Sequence, residues 1–460
     1  MRLSKLIDRR EAMMLLAAGA GALKWGRAGA AVAAPFVTND VAKLRRVLMC
    51  PPSTLGYPIS HLDDDAVPIV DIDLEVARAE HAELMRILRA SGAEVLLVPE
   101  LLQEAIERAR SRGIWDTWLR ATHPQLSADP KAVTAQILLG TDPSTQFRTW
   151  SDGSYRHIID DVGAFIFSRD TAVTTPKGIV LLNVGNPTRV REQVLLRFII
   201  AFAPQLERYP VVFDAQQEGL LAEGGDFQVV DEQTLFLGIG NRTDPRIAPI
   251  LARRLGMDVL AVQTRKTEGL RHGEKRVRVR SVFLHLDTYF THLGDKQALT
   301  LPWFLEAAQA GKDPYTLFLK GIAADGSISD DELTEARDFI RDFGYLRLYC
   351  AGTGEEDTSV KEMKLVDYVR SRGYAVHFVG GEPPSSDLIR HLFAVVLPEH
   401  QHQGANVVAT APGHIVAYEG SPQTHAALRR AGINVTTFSA RELWPWNGGP
   451  HCLTMPFERG

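Results

Sequence analysis

Four short polar motifs contain residue types that could act together in catalysis. They are FSRD with Asp170, EGGD with Glu223, HLDT with His285 and Asp287, and GGPHC with Cys452. A cysteine can act as a nucleophile, a histidine can carry protons, and carboxylates can bind or orient a substrate. Each residue alone also has an ordinary structural interpretation, such as a turn cap or a small buried hydrophobic residue. Their combination predicts an enzyme with a cysteine nucleophile.

The charge of this set constrains the substrate. Carboxylates close to a thiol raise the pKa of the thiol and repel anions. They suit a planar cation that carries several N–H donors, because a carboxylate can bind two such donors at once. A guanidinium is such a cation, and its charge would favour the thiolate when it docks. We therefore predict a guanidine substrate that helps to activate Cys452.

The motifs occur in a chain where short apolar strands alternate with amphipathic helices. LRRVLMC predicts a buried strand, which is followed by a helix that ends at Gly92 and by the strand EVLLV. Similar units are AFIFS, GIVLLN and the helix RVREQVLLRFIIAF, then FQVV, TLFLGIG and PRIAPILARRLG, and last NVVATAP, HIVAYE, a helix over 422–431 and INVTTF. This βαβ-like order predicts an α/β fold. Each polar motif is expected at the end of an apolar strand.

The domain organisation follows from where the alternation of strands and helices begins and where it is interrupted. We predict an export signal at 1–34 and one domain over 35–460, with helical insertions at about 101–150 and 296–343. The signal has Arg9 and Arg10 before a mildly apolar run, and small residues at 31–33 for cleavage. This layout is typical of the twin-arginine pathway, so we expect an exported protein, periplasmic or secreted.

The second insertion contains ADGSISDDEL, which has the pattern of the later half of a calcium-binding loop over 321–332. The first two ligand positions of such a loop would hold Gly321 and Ala323, which offer no side-chain oxygen. We therefore favour a capped helix start with Ser329 as its first cap residue. No metal is predicted for this chain.

Composition narrows the remaining classes. A net charge of −5 gives no indication of a nucleic-acid-binding surface. The basic run over 271–280 is interpreted as a solvent-exposed edge of the protein. The apolar run of the signal is too short to span a membrane, and no other stretch is long and apolar enough to do so. Cys50, Cys350 and Cys452 are odd in number, so at least one thiol stays free unless it pairs with another molecule. No cofactor is expected, and a homo-oligomer is left open.

In this order the motifs resemble those of the arginine deiminases, within the guanidine-modifying superfamily that also includes amidinotransferases. GIGNRTD and HLDTYFTHL add to the resemblance, which runs from KLRRVLM to the C-terminus and weakens in the helical insertions. It implies a five-bladed α/β propeller with pseudo-fivefold symmetry. It also implies hydrolysis of arginine to citrulline and ammonia.

The resemblance further implies a role for each catalytic residue. Cys452 would attack the guanidino carbon and form a covalent amidino-thioether. Asp170 and Asp287 would grip the guanidinium nitrogens. Glu223 would orient the substrate and the histidine, while His285 would protonate the departing ammonia and then activate water.

The substrate-binding residues implied by the resemblance depart from the family pattern in part. Arg189 and Arg242 match the arginines that hold the amino acid's carboxylate, and Gly404 and Asn447 complete the predicted binding set. Asn447, however, stands where the family usually has an arginine. The chain also has Ala164 where the family usually has an asparagine. Guanidine chemistry is thus better supported than free arginine as the substrate.

Three other functions are compatible with parts of the sequence. An amidinotransferase would use the same residues but pass the amidino group to an amine. A periplasmic protein that binds cationic amino acids would have no use for Cys452 or His285. A metal hydrolase would use His285, Asp287 and His292, although the spacing of these residues is loose.

Overall fold

The computed structural model describes residues 36–53, 72–148, 155–159, 162–264, 270–272, 275–277, 284–307, 312–324, 326 and 328–460. The predicted export signal and half of the basic run over 271–280 lie outside them. Within these residues the fold is mixed α/β, which confirms the predicted class. None of their helices has the length and apolar character needed to cross a bilayer.

Strands and helices alternate along this part of the chain. The strands are β1 Leu44–Met49, β2 Glu94–Leu97, β3 Gln146–Arg148, β4 Tyr155–His157, β5 Ala172–Thr175, β6 Gly178–Leu181, β7 Val211–Asp214, β8 Phe227–Val229, β9 Thr234–Ile239, β10 Asp258–Gln263, β11 Leu270–His272, β12 Lys275–Val277, β13 Phe290–Gly294, β14 Gln297–Thr300, β15 Leu346–Tyr349, β16 Glu356–Asp357, β17 Ala375–Phe378, β18 Val408–Ala411, β19 His414–Tyr418, β20 Asn434–Phe438 and β21 Met455–Arg459. The helices are α1 Leu74–Ala90, α2 Val98–Ser111, α3 Trp115–Thr122, α4 Ala135–Leu139, α5 Val190–Phe202, α6 Ile247–Leu255, α7 Pro314–Ala324, α8 Asp330–Asp342, α9 Leu365–Ser371, α10 Leu388–His391, α11 Leu397–Gln401 and α12 Pro422–Arg430.

Five sheets repeat one strand order. They are β21-β1-β2, β5-β6-β7, β8-β9-β10, β13-β14-β17 and β18-β19-β20, and β15 and β16 extend the third sheet beyond β10. In each sheet the first-named strand is antiparallel to the second, and the second is parallel to the third. A parallel pair needs a crossover connection, which includes α1, α5, α6 and α12 in four of these sheets. We call the first-named strands, β5, β8, β13, β18 and β21, the lead strands.

The five sheets contact one another in a closed order. Strand β21 contacts β5, and the turns before β5 and β8 contact each other. Strand β8 contacts the turn before β13, β13 contacts β18, and β18 contacts β1. All residues of β5 and β13 are buried, as expected for strands that are covered on both faces. The beginnings of the lead strands are thereby brought close together.

Most predicted elements are observed near their predicted positions, but AFIFS is not a strand. Gly163–Ile166 form a 3-10 helix, and the N–H of Phe165 donates to the carbonyl oxygen of Val162 at 2.8 Å. A short apolar run cannot distinguish a strand from another buried segment by its period. This explains the error.

The two ranges predicted as helical insertions contain strands as well as helices. The second one contains α7 and α8, but Gln297–Thr300, inside its predicted range, is strand β14. Helix α8 begins directly after Ser329, whose carbonyl oxygen accepts from the N–H of Leu333 at 3.0 Å. Gly321 and Ala323 lie within α7. This arrangement agrees with a capped helix start rather than a calcium loop.

Candidate active site

A short turn with polar residues precedes each lead strand. Ser168–Thr171, Gly224–Asp226 and Leu286–Thr288 form 3-10 turns before β5, β8 and β13. Cys452 lies in the turn before β21, and Asn406 lies two residues before β18. For FSRD, EGGD and GGPHC the expectation that the motifs end apolar strands is wrong, because the described residues before them form no strand and a strand begins after them instead. The residues expected to form the strand before HLDT, 278–283, lie outside the described residues. Since neighbouring sheets meet at these turns, their polar residues converge.

The Cys452 thiol is buried among polar groups. Its Sγ is 3.1 Å from Asn406 Nδ2 and 3.3 Å from Asp287 Oδ2, and the residue is only 4% exposed. Burial raises the pKa of Cys452 well above its usual value, and the charges of Asp287 and Asp170 raise it further. This confirms the predicted direction of the shift. The thiol is therefore protonated at neutral pH until a cation offsets these carboxylates.

Asn406 is a site residue that the sequence analysis missed. Its Oδ1 accepts from the backbone N–H of His451 at 3.1 Å and of Cys452 at 3.2 Å, while its Nδ2 donates to Cys452 Sγ. One side chain thus holds the turn and the sulfur together. Asn406 is the first residue of NVVATAP, which was predicted as a strand, and a single asparagine there carries no distinctive catalytic pattern. The feature that could have identified Asn406 is its position before a lead strand, which it shares with the four motifs.

Asp170 and Asp287 each have one carboxylate oxygen already bound. Asp170 Oδ2 accepts from Arg189 at 2.7 Å, and Asp287 Oδ2 accepts from His451 Nδ1 at 2.8 Å. The other oxygens, Oδ1 of both residues, are buried and have no hydrogen-bond partner among the described residues. A buried carboxylate oxygen without a partner is costly. These two oxygens near Cys452 are suited to two N–H groups of one guanidinium.

His285 and Glu223 form a directly bonded pair. His285 Nε2 lies 2.7 Å from Glu223 Oε2, and Glu223 Oε1 accepts from the N–H of Gly185 at 3.2 Å and from Arg242 at 3.3 Å. The second imidazole nitrogen, Nδ1, is 3.8 Å from Asp170 Oδ1. Nε2 is thus occupied by Glu223. Nδ1 is the nitrogen that faces the free carboxylate oxygen and can exchange a proton there.

The charge of this pair follows from its surroundings. Burial alone would lower the pKa of His285, but neighbouring carboxylates outweigh it and raise this pKa to about 9; they belong to Asp170, Glu223 and Asp226. Burial would raise the pKa of Glu223, but Arg242 and His285 lower it. The imidazole is therefore protonated at neutral pH beside an ionised glutamate. It can act as a proton donor.

The close packing of these turns requires glycine in the EGGD motif. A Cβ atom on Gly225 would lie 2.6 Å from Nδ1 of His285, and one on Gly224 would lie 1.9 Å from the carbonyl oxygen of Arg169. Any side chain at either position would displace the imidazole or the neighbouring turn. The motif is thus explained by close approach as well as by its acids.

The predicted substrate-binding residues lie at different distances from this cluster. Arg189 is 4% exposed and, besides Asp170, binds Glu192 at 2.9 Å and the carbonyl oxygen of Ala164 at 3.0 Å. Arg242 reaches the cluster through Glu223, and its side chain is 14% exposed. In this structure both arginines therefore hold protein carboxylates. Whether they also hold a substrate carboxylate stays a prediction.

Gly404 and Asn447 are peripheral to the cluster. A Cβ atom on Gly404 would meet Glu399 and Ser421 rather than a catalytic residue. Asn447 is half-buried with a φ of 64°, after the buried Trp446. Their predicted role in binding substrate is neither supported nor contradicted by these contacts.

The metal alternative does not match the observed arrangement. His292 packs against the rings of Phe236, Phe290 and Tyr374, with centroids 5.4, 5.2 and 5.7 Å away. Asp170, Glu223 and His285 do bring possible ligand atoms within 4.8 Å of one another. Because neighbouring carboxylates raise the pKa of His285, a metal at these three residues would have to displace a proton from the imidazole.

Comparisons with known proteins identify the family of the chain. The family model described as arginine deiminase matches residues 70–341 and 394–459. Arginine deiminase of Listeria welshimeri is 26% identical over 455 residues, covering 92% of this chain and 98% of that protein. Arginine deiminase of Clostridium perfringens is 25% identical over 453 residues, covering 92% of this chain and 97% of that protein.

Two of the solved structures that match the chain come from ArgZ and DDAH. The N-terminal domain of ArgZ, an arginine dihydrolase of cyanobacteria, has 13% identity and a TM-score of 0.47, covering 90% of this chain and 97% of that chain. DDAH from Pseudomonas aeruginosa has 12% identity and a TM-score of 0.46, and the match covers 90% of this chain and 100% of that chain. The family match, however, spans well over half of the residues. The chain belongs to the arginine deiminase family and is a hydrolase that acts on C–N bonds of amidine groups.

Proposed function

We propose that this protein deiminates a guanidino substrate through Cys452, with L-arginine as the leading substrate and citrulline and ammonia as products. The observation that carries the proposal is a pair of buried oxygens, Oδ1 of Asp170 and Oδ1 of Asp287, that have no hydrogen-bond partner among the described residues and belong to carboxylates that act on the buried sulfur. The curated relatives are called arginine deiminases, which favours arginine within this class.

The reaction begins with neutralisation of the cluster. A guanidinium bound by Asp170 and Asp287 offsets the charges that raise the pKa of Cys452, so the thiol releases its proton to solvent and forms the thiolate. The thiolate attacks the guanidino carbon to give a tetrahedral adduct. When the C–N bond breaks, His285 donates its proton to the leaving nitrogen, and ammonia departs. The product of this half is an amidino-thioether on Cys452.

Water completes the second half of the reaction. His285, now neutral, removes a proton from water as the oxygen attacks the amidino carbon. The bond between the former amidino carbon and Sγ of Cys452 then breaks, the hydroxyl proton of the adduct passes to the departing thiolate, and the ureido product is released with the Cys452 thiol regenerated. Asn406 donates a hydrogen bond to this sulfur at 3.1 Å and would stabilise it whenever it carries negative charge.

The finer architecture and the location are part of the proposal. Five sheets of one strand order that contact each other in a closed order support a five-bladed propeller. The site would then lie at one end of the ring, where the lead strands begin. The sequence at 1–34 supports export by the twin-arginine pathway.

The decisive experiment is release of ammonia and of a ureido product from a panel of guanidines. The panel contains arginine, agmatine and methylated and acylated arginines, with Cys452→Ala as the control. Product from at least one guanidine in the wild type, and none in the control, is expected. Transfer of the amidino group to an added amine without ammonia would identify an amidinotransferase instead. Binding of arginine without any product would contradict the proposal.

A further inference from the structure

Asp226 is a buried carboxylate to which the proposed reaction gives no task. Its Oδ1 accepts from the backbone N–H of Leu286 at 3.0 Å, and its Oδ2 accepts from the Thr243 hydroxyl at 2.6 Å. Thr243 Oγ1 in turn accepts from the backbone N–H of Glu223 at 3.2 Å. Leu286 directly follows His285. One carboxylate therefore connects the backbone beside His285 with the backbone of Glu223.

The surrounding backbone leaves room for this carboxylate. Asp226 is fully buried, and a Cβ atom on Gly238 would lie 2.2 Å from its Oδ1. Thr243 is fully buried as well. Strand β9 thus carries a glycine where the carboxylate of the preceding turn has to fit. The bridge is a packed part of the site rather than a surface contact.

Several charged or titratable groups act on Asp226 from the elements around it. His285 and Glu223 interact with its charge, and Tyr289, which follows the turn of His285, has its own pKa raised partly by Asp226. Burial raises the pKa of Asp226 to about 7, although the positive charge of His285 opposes this. Asp170 also acts on the same imidazole. The carboxylate of Asp226 thus contributes to the charge of His285.

We propose that Asp226 is a positioning residue that, through Thr243 and the backbone of Leu286, keeps Glu223 and His285 in register for proton transfer. The inference rests on the proposed deiminase function, because it assigns a task within that reaction. His285 must donate a proton and then accept one, with Nε2 fixed on Glu223 in both states. If the two turns moved apart, the imidazole would lose its orientation without losing its place in the fold.

The proposal is tested with Asp226→Asn, Thr243→Val and Thr243→Ser. Thr300→Val serves as a matched control, because Thr300 is a fully buried threonine whose hydroxyl donates to the carbonyl oxygen of Tyr289 at 2.9 Å. For each variant, kcat and KM are measured from pH 6 to 10 with the best guanidine of the panel. Thermal unfolding is recorded in parallel. The pKa of His285 is measured by NMR of histidine labelled with nitrogen-15, which needs no turnover.

Asp226→Asn and Thr243→Val should lower kcat by about ten-fold or more while KM changes by less than about three-fold. In Asp226→Asn the alkaline limb of kcat and the pKa of His285 should both fall by about one pH unit, because a negative charge beside the imidazolium is lost. Thr243→Ser should restore most of the activity, since it keeps the hydroxyl. Thr300→Val should resemble the wild type.

Two results would overturn the proposal. One is a kcat and alkaline limb in Asp226→Asn and Thr243→Val that match those of Thr300→Val. The other is an unchanged pKa of His285 in folded Asp226→Asn. If Asp226→Asn does not fold, the proposal is decided by comparing the kcat of Thr243→Val with the kcat of Thr243→Ser. If the wild type converts no guanidine, the proposed function fails, while the NMR titration still decides the role of Asp226.

Discussion

Replacing Asn406 by alanine tests the contact to the sulfur that the structure adds to the predicted site. The variant removes the hydrogen bond from Nδ2 to Cys452 Sγ, which spans 3.1 Å in a buried environment. A hydrogen bond to a charged group contributes about 1.5–3 kcal/mol. If the bond is fully made only to the thiolate, kcat/KM should fall by about 10- to 150-fold. Alanine also removes two backbone contacts of the turn, so the upper part of this range is expected.

Two further variants separate the sulfur contact from support of the turn. Asn406→Asp can still accept from the N–H groups of His451 and Cys452 but cannot donate, and it adds a negative charge near Asp287, so it should be at least as inactive as Asn406→Ala. Asn39→Ala is the matched control, because Asn39 Oδ1 also accepts from two backbone N–H groups, far from the thiol in sequence. Steady-state kinetics and thermal unfolding are measured together. A kcat/KM of Asn406→Ala within about three-fold of the Asn39→Ala value would refute the reasoning.

Four other outcomes are expected. Cys452→Ala should abolish turnover while calorimetry still detects substrate binding, and near-wild-type activity would exclude the covalent route. Because His285 has a raised pKa of about 9, the proton for the leaving group is lost as pH rises through that value; kcat should therefore fall on the alkaline side, and a profile that stays flat to pH 10 would contradict this. Arg9→Lys with Arg10→Lys should leave precursor in the cytoplasm, and the mature protein should begin near residue 34; full-length protein as the sole cellular form of the wild type would exclude export. Asn447→Arg should raise kcat/KM for arginine more than for agmatine, and an unchanged ratio would show that position 447 does not read the carboxylate.

The sequence predicted the α/β class and most elements because their local signals agree with the fold. Helix α1 illustrates this, since Asp73 Oδ1 accepts from the N–H groups of Glu75 and Val76 and so fixes its start. The run AFIFS has no such local signal. It is buried throughout, and only its neighbours decide that it turns rather than extends. The order of the five sheets depends on pairings between distant strands, which periodicity does not contain.

The predicted catalytic residues converge, but their partners could not be predicted. Residue types alone suggested Cys452 and His285 as a reactive set. That Arg189 would hold Asp170 depends on a buried geometry between residues of different elements, so the sequence indicated an arginine without indicating its partner. Asn406 was missed for a related reason. Its importance arises from the turn that it holds, and only the shared placement before lead strands connects it to the four motifs.

The pairing of β21 with β1 has a consequence for the order in which activity appears during folding. Thr38 and Arg459, which hydrogen bond beside this pair, are 421 residues apart in sequence. Closing a flexible segment of this length costs on the order of 5 kcal/mol in chain entropy, and contacts of high contact order form slowly. An intermediate with the other four sheets formed would already hold Asp170, Glu223 and His285 but would lack the sulfur in its place. The enzyme should therefore remain inactive until β21 has paired with β1, the two strands that lie farthest apart in the sequence.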